Sequence, residues 1–241
     1  TPDAALQYTM PPAVLGTLCR SFSPGDRLTP QALATMAAEC GYAAADAVDG
    51  VGQFARRGGI VDLFAPGTQA PVRIEFFGDE IESIAPFDLI TQRRGESIPA
   101  FSLSPARELI ITPQAKDRIL AAITAAQKRH KTKHPELFES LAAEAEAVRA
   151  DAPTVACDRY LSLIYEESAC LLDYFAGQGL LLIAESGACR TRLEGFARQN
   201  AESAVALCER SGLSGKIMSF AKAGPTLSMY AARHRAGLLD A

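Results

Sequence analysis

The chain has 241 residues, of which 48% are hydrophobic, and its formal net charge is −4. This length is enough for one large domain or two small ones with separate cores. The charge shows no overall basic excess of the kind that favours nucleic-acid binding. The most apolar run, residues 180–184, is far too short to cross a bilayer, and no signal peptide is visible. We therefore expect a cytoplasmic protein without membrane contacts.

The first predicted helix begins near residue 29 and ends near residue 41. Thr29 and Pro30 have the residue types preferred at the N-cap and at the first helical position, and Gly41 is typical of a helix end. Between them, apolar residues recur at i, i+3, i+4 and i+7, the spacing of one helix face. These residues are Leu33, Met36, Ala37 and Cys40.

From about residue 42 to residue 104 the period of the pattern changes to two, which is typical of half-buried β-strands. In VRIEF, residues 72–76, apolar residues alternate with Arg73 and Glu75. A Gly-Asp pair shortly after it suits a tight hairpin. We predict an antiparallel meander packed by the preceding helix. Arg73 and Glu75 should be exposed, so that replacing either one changes the stability by only about 0.5 kcal/mol.

Helical periodicity returns after residue 112. One predicted helix carries an apolar stripe formed by Ala115, Ile119, Ile123 and Ala126. The basic run KRHKTKH, residues 128–134, separates this helix from an acidic, alanine-rich helix over about 135–150. A short helix over 160–168 and a buried strand at 179–186 are predicted next, and alanine-rich helices are expected to close the chain.

The change of pattern near residue 105 predicts two domains, residues 1–104 and residues 105–241. The first would contain the antiparallel sheet with its packed helix, and the second would be mostly helical. The predicted fold class is therefore α+β.

Catalytic and metal-binding interpretations find little support in the residue pattern. Asp62 and Glu75 are placed like the paired carboxylates of a metal-dependent nuclease, but Phe77 stands where that chemistry requires a lysine. His130 and His134 have i, i+4 spacing, yet two histidines leave a zinc ion short of ligands. The six cysteines form no CxxC pair, and the sequence has no GxxxxGK[ST] loop or GxSxG elbow. We predict no catalytic residue and no metal ligand.

Arginines form the remaining candidate site. Arg56, Arg57 and Arg73 belong to strands predicted to be adjacent, with Glu75 beside them. Exposed arginines often only interact with solvent, but arginine is also enriched at interface hot spots, where it forms charge-assisted hydrogen bonds with carboxylates. The Gly-Gly pair after Arg57 permits a bulge or a close backbone approach. A solvated face, a docking face and, through the basic run 128–134, a DNA-binding module remain open.

Two long segments carry a family resemblance: GQFARRGGIVDLFAPG, and PVRIEFFGDEIESIAPFDLITQR a few residues later. They closely resemble the UvrB-homology module of the transcription-repair coupling factors (the Mfd family), and its counterpart in the excision-repair helicase UvrB is similar. The resemblance is strong over about residues 30–118 and weaker to about residue 195. It implies a UvrA-binding domain followed by a degenerate helicase-like remnant.

This resemblance implies that the chain recruits UvrA in transcription-coupled nucleotide excision repair and is not itself an enzyme. The parent protein would be an ATP-dependent DNA translocase. Its contacts with RNA polymerase and double-stranded DNA, and its use of ATP and magnesium, would belong to domains outside this chain. We expect the chain to be a fragment that binds no cofactor.

The resemblance also implies which residues face UvrA. They are Arg57, Arg73, Glu75, the neighbouring Arg56 and the apolar Val61, which is expected on the same face. This chain departs from the family pattern at residue 55, where an alanine replaces an arginine. The neighbouring Arg56 is expected to take over the role of that arginine. A further family arginine is replaced by Ala43 or Ala44.

Another departure concerns ATP hydrolysis. Ala184 stands where an active UvrB has the Walker-B aspartate that helps to hold magnesium, and only Glu185 remains. We therefore expect no magnesium-dependent ATP hydrolysis by this chain. The alternative function is a fragment of a UvrB-like excision-repair ATPase that binds damaged DNA, which would require a phosphate loop and this aspartate in the flanking sequence.

Overall fold

The computed structural model describes residues 1–131, 134–150, 157–167, 169–175, 180–213, 220–221 and 235–239. The chain divides into two compact units. The unit formed by residues 13–110 is termed the sheet unit, and the unit formed by residues 1–12 and 111–241 is termed the helical unit. Helices and antiparallel strands are both present, so the predicted α+β class is confirmed.

The first 110 residues contain three helices and eight strands among the described elements. In chain order they are α1 (Pro2–Leu6), β1 (Tyr8–Thr9), α2 (Pro12–Leu18), β2 (Arg20–Phe22), α3 (Pro30–Glu39), β3 (Ala43–Ala44), β4 (Gln53–Arg57), β5 (Ile60–Leu63), β6 (Val72–Phe77), β7 (Glu80–Pro86) and β8 (Phe101–Leu103). The later elements are α4 (Pro113–His130), α5 (Pro135–Arg149), α6 (Leu161–Ile164), β9 (Ala169–Cys170), β10 (Leu180–Ala184), α7 (Ser186–Ser211) and β11 (Arg235–Leu239), with 3-10 turns at Cys157–Tyr160 and Leu171–Phe175.

The main sheet of the sheet unit has the strand order β3-β4-β5-β6-β7. The four strands β4 to β7 pair antiparallel with their neighbours, which confirms the predicted meander. The short β3 pairs parallel with β4, a difference from the prediction. The segment between β3 and β4 returns the chain to the end of the sheet at which β3 began, so the two strands run in the same direction. Separately, β2 pairs antiparallel with β8.

Helix α3 covers one face of the main sheet. The Thr29 hydroxyl accepts a hydrogen bond from the Ala32 amide at 3.1 Å, and Gly41 adopts a φ of +84° just beyond the helix. Both predicted ends of the helix are thereby confirmed. Leu33 from the helix and Ile74 from the sheet are fully buried in the same core.

The opposite face of the main sheet is only partly apolar. A small cluster covers one end of it, formed by Val48, Ala55, Phe64 and Phe87, with Leu89 packed beside it. Beyond this cluster the face also carries charged side chains, among them Asp62 and Arg73. It is therefore the face on which a site can form without disrupting the main core.

Helix α4 begins as predicted, because the Thr112 hydroxyl accepts a hydrogen bond from the Ala115 amide at 3.2 Å. Its predicted apolar stripe is fully buried, and α4 packs against α5. Strand β1 pairs antiparallel with β9, and Leu6 shares a buried cluster with Leu193. The first 12 residues therefore belong to the helical unit.

The compact units do not follow the predicted division into residues 1–104 and 105–241. The chain passes from one unit to the other between residues 12 and 13 and again between residues 110 and 111. The N-terminal segment belongs to the helical unit through contacts that are distant in sequence. A change of local pattern cannot reveal such contacts. As a division into independently folding domains, the two-part organisation stays a prediction.

The end of the chain differs from the prediction in three respects. The short helix ends at Ile164, and Ser168 lies outside the described residues. Strand β10 forms, but Leu182 at its centre is exposed, because an apolar run predicts a strand without specifying what covers it. Of the alanine-rich helices expected to close the chain, α7 is present, but the last described element is the strand β11, which pairs parallel with β10. Residues 214–219 and 222–234 lie outside the described residues. Among the described helices, none combines the length and apolar character needed to cross a membrane.

We predict that the sheet unit folds without the helical unit. Its main core is formed entirely by residues between 22 and 103, so no contact outside the unit is needed to complete it. Residues 13–110 expressed alone should melt in one cooperative transition. Limited proteolysis of the whole chain should also release a stable fragment that ends near residue 110. If no fragment with an end between about residues 105 and 115 survives, the unit does not fold independently.

Candidate functional site

Strand register brings charged residues together on one face of the main sheet. Arg73 in β6 lies opposite Asp62 in β5, and Asp62 lies opposite Ala55 in β4. Arg57 and Glu75 are each two positions further along their strands, so they lie on the same face. The face that carries Arg57, Asp62, Arg73 and Glu75 is termed the charged face.

Asp62 is the buried centre of the charged face, with only 1% of its side chain exposed. Arg73 donates from Nε to Oδ1 at 2.8 Å and from Nη2 to Oδ2 at 2.9 Å, and Arg57 donates from Nη2 to Oδ2 at 3.2 Å. The hydrogen bonds to Asp62 raise the pKa of the Arg73 guanidinium. Asp62 is therefore a counter-ion for arginine and not a free metal ligand. Within the described ranges, no three His, Cys, Asp or Glu residues cluster as a metal ion would require.

Arg73 is held on several sides. Its guanidinium carbon lies 4.6 Å from the centre of the Phe87 ring, a cation–π distance, and its Nη2 donates to Gln92 Oε1 at 3.1 Å. Only 17% of its side chain is exposed. The expectation that Arg73 is exposed is therefore wrong, and the reason for expecting only a small change in stability on its replacement no longer holds. Period-two alternation identified its face but not the buried carboxylate opposite.

Arg57 and Glu75 are the more accessible charges. Arg57 has 54% of its side chain exposed although it contacts Asp62. Glu75 is partly exposed and accepts a hydrogen bond from the Ser83 hydroxyl at 2.6 Å, while Arg94 Nε lies 3.6 Å from the same carboxylate oxygen, Oε2. The charged face thus presents one positive and one negative group whose positions are set by neighbouring side chains.

Val61 and Arg56 do not lie on the charged face. Two glycines connect β4 to β5, so Arg57 faces Ile60 and Arg56 faces Val61 across the hairpin. Val61 is fully buried in the main core, and its predicted place beside Arg57 is wrong because the hairpin register sets the side on which it lies. Strand alternation also puts Arg56 and Ala55 on opposite faces, so Arg56 does not fill the place of the missing arginine.

The two glycines allow the close backbone approach that was predicted as one possibility. The Phe76 amide donates to the Gly59 carbonyl at 2.8 Å, and a Cβ atom at residue 59 would lie 3.1 Å from the Phe76 carbonyl oxygen. A glycine at this position therefore lets the β4–β5 turn lie against β6. Arg57 lies opposite Ile60, which lies opposite Glu75, two residues before Phe77 in β6.

Phe77 is a member of the charged face that the sequence analysis missed. Phe76 belongs to the main core, so strand alternation puts Phe77 on the same side as Glu75. Its side chain is 82% exposed. A signal was present in the sequence: where two aromatic residues are adjacent in a strand with one core face, one of them must point away from that core.

The basic segment, residues 128–134, contacts a helix end. His130 Nε2 lies 3.0 Å from the Gly212 carbonyl oxygen, and Arg129 donates to the same oxygen at 3.4 Å. Gly212 caps the C-terminus of α7, where basic groups are favourable. Residues 132 and 133 lie outside the described residues. DNA binding by this segment stays a prediction.

We predict that the two arginines bound to Asp62 contribute unequally to stability. Arg73→Ala removes the bidentate partner of a buried carboxylate and should cost about 3–5 kcal/mol. Arg57→Ala leaves that bidentate pair intact and should cost no more than about 1 kcal/mol. Urea denaturation of both variants measures the difference. Equal losses would show that Asp62 does not depend on Arg73.

Comparison with known proteins finds related sequences. The sequence profile described as the UvrB interaction domain matches residues 21–109, which contain the whole charged face. The transcription-repair-coupling factor of Bacillus subtilis is 31% identical over 224 residues, covering 90% of this chain and 19% of the relative. The same factor from Myxococcus xanthus is 37% identical over 50% of this chain and 10% of the relative. That of Escherichia coli is 38% identical over 44% of this chain and 9% of the relative.

These matches confirm the resemblance found in the sequence. The chain spans 19% or less of the length of these three relatives. Residues 21–109 match the UvrB interaction domain, and the chain is similar to a part of the transcription-repair-coupling factors.

Proposed function

We propose that the chain binds UvrA through the charged face and so recruits it in transcription-coupled nucleotide excision repair. The supporting observation is that the segment matched as a UvrB interaction domain presents Arg57, Glu75 and Phe77 together on one sheet face. The other face of the same sheet is occupied by the main core.

The chemistry of these three side chains suits a protein partner. Arginine and aromatic residues are enriched among hot spots of protein interfaces. Arg57 can pair with a carboxylate on the partner, and Glu75 can accept a hydrogen bond from a donor. The exposed ring of Phe77 offers apolar area that a partner would bury. Opposite charges in fixed positions favour a specific orientation of the complex.

We further propose that the other activities implied by the family reside outside this chain. ATP-driven translocation, and contacts with RNA polymerase and double-stranded DNA, would be functions of the longer protein, of which the chain corresponds to 19% or less in the three relatives described. In this proposal the chain is a recruiting module and not a catalyst.

We predict that Arg57→Ala weakens the binding of UvrA from the same organism by at least about tenfold. Loss of a charge contact in a desolvated interface typically costs about 2–5 kcal/mol, whereas the melting temperature should hardly change, because Asp62 keeps its bidentate partner Arg73. Phe77→Ala should give a similar loss of affinity. Titration of UvrA against each variant, together with thermal melts, measures both effects.

Arg56→Ala is the matched control. It removes the same charge from the adjacent residue, on the opposite face of the sheet, and should change the affinity by less than about twofold. If Arg56→Ala weakened binding and Arg57→Ala did not, the charged face would not be the docking surface.

A further inference from the structure

We infer that Arg94 is a positioning residue of the charged face, which fixes the carboxylate of Glu75 in the orientation that a partner contacts. This inference deepens the proposed function and rests on it. Arg94 lies outside the five strands of the main sheet, in the segment that follows β7.

The backbone brings this segment back along the sheet. The Gly95 amide donates to the Pro86 carbonyl at 2.7 Å, and Phe87 and Arg94 form an isolated bridge. The partly exposed side chain of Arg94 then reaches the middle of β7. Its Nη2 donates to the Ser83 hydroxyl at 2.7 Å and to the Ser97 hydroxyl at 3.1 Å.

Ser83 transmits the influence of Arg94 to Glu75. A serine hydroxyl has one proton to donate. Because Arg94 donates to this hydroxyl, the proton of Ser83 is free to point at Glu75 Oε2, which lies 2.6 Å away. Arg94 Nε also lies 3.6 Å from Oε2. Among the described residues, the contacts of the Glu75 carboxylate are made through Oε2, so the second oxygen, Oε1, can accept a hydrogen bond from the partner.

The segment that follows β7 also contacts Arg73, another residue of the charged face. Gln92 accepts a hydrogen bond from Arg73 at 3.1 Å and donates to the Leu89 carbonyl at 2.9 Å. The turn that precedes it is closed by Asp88, whose Oδ1 accepts from the Thr91 amide at 2.7 Å. One loop therefore sets the positions of both Arg73 and Glu75 before any partner binds, which lowers the entropic cost of docking.

These positions specify the chemistry of the complementary surface. It should place a carboxylate near Arg57, because more than half of that side chain is exposed. It should place an N–H donor, from a lysine, an arginine or the backbone, near Glu75. A carboxylate and an N–H donor on UvrA could contact the charged face at the same time only if Arg57 and Glu75 keep their relative orientation.

A double-mutant cycle on the whole chain tests the inference, with UvrA from the same organism as the probe. The variants are Glu75→Ala, Arg94→Ala and the two combined. Each single change should weaken binding by about fivefold or more. If Arg94 acts through Glu75, the double variant should bind within about twofold of Glu75→Ala alone, because the effects of coupled residues are not additive.

Ser83→Ala and Arg94→Lys test the route of the effect. Ser83→Ala removes the hydroxyl but keeps both charges, and should reproduce most of the loss caused by Arg94→Ala. Arg94 uses Nη2 for Ser83 and Ser97 and has Nε 3.6 Å from Glu75 Oε2. Arg94→Lys keeps the charge but has one side-chain nitrogen in place of these two, so binding should stay weakened. Ser83→Ala keeps the inference testable if Arg94→Ala proves poorly folded in thermal melts.

Arg93→Ala is the matched control for charge. Arg93 is exposed and adjacent, and within the described part of the chain its guanidinium has no ion pair. Its removal should change the affinity by less than about twofold. Fold-changes that multiply in the double variant, or an Arg93→Ala effect equal to that of Arg94→Ala, would overturn the inference.

The outcomes separate this inference from the proposed function. If Arg57→Ala weakens UvrA binding while Glu75→Ala and Arg94→Ala act additively or not at all, only the positioning role fails. If none of the charged-face variants affects UvrA binding, the proposed docking surface fails, and the positioning role fails with it.

Discussion

The carboxylate of Asp62 lies within the main sheet, and only 1% of its side chain is exposed. The arrangement of the charged face depends on how the negative charge of this carboxylate is compensated. Burying an ion without a partner costs several kcal/mol, about the stability of a small domain. The fork of Arg73 provides the required partner with two hydrogen bonds to Asp62. Phe87 and Gln92 in turn fix Arg73. The ion pair therefore joins the sheet to the loop that follows β7.

This constraint separates two kinds of charged residue that look alike in sequence. Arg73 is mostly buried and stabilises the face, whereas Arg57 has more than half of its side chain exposed beside the same carboxylate. A substitution at either position could weaken a complex, but for different physical reasons. Loss of Arg73 would disturb the fold that presents the surface, while loss of Arg57 would remove a group from the surface itself. Stability and binding must therefore be measured together.

Local sequence patterns were sufficient for much of the fold. The ends of α3 followed from Thr29 and Gly41, because capping depends on neighbouring residues. The side occupied by Val61 did not follow, because a two-residue turn sets the register of the hairpin. The burial of Asp62 depends on a cross-strand partner, and the place of residues 1–12 depends on contacts with residues more than 150 positions away, such as Leu193. Periodicity within a short window contains neither kind of information.

Amide hydrogen exchange of the chain, with and without UvrA, tests most directly whether the charged face is the docking surface. Turn and loop amides are informative because they exchange readily in the free protein. We expect UvrA to slow exchange at the β4–β5 turn, at the hairpin after Phe77 and in residues 88–94. Slower exchange confined to residues 113–211, with these three segments unchanged, would contradict it.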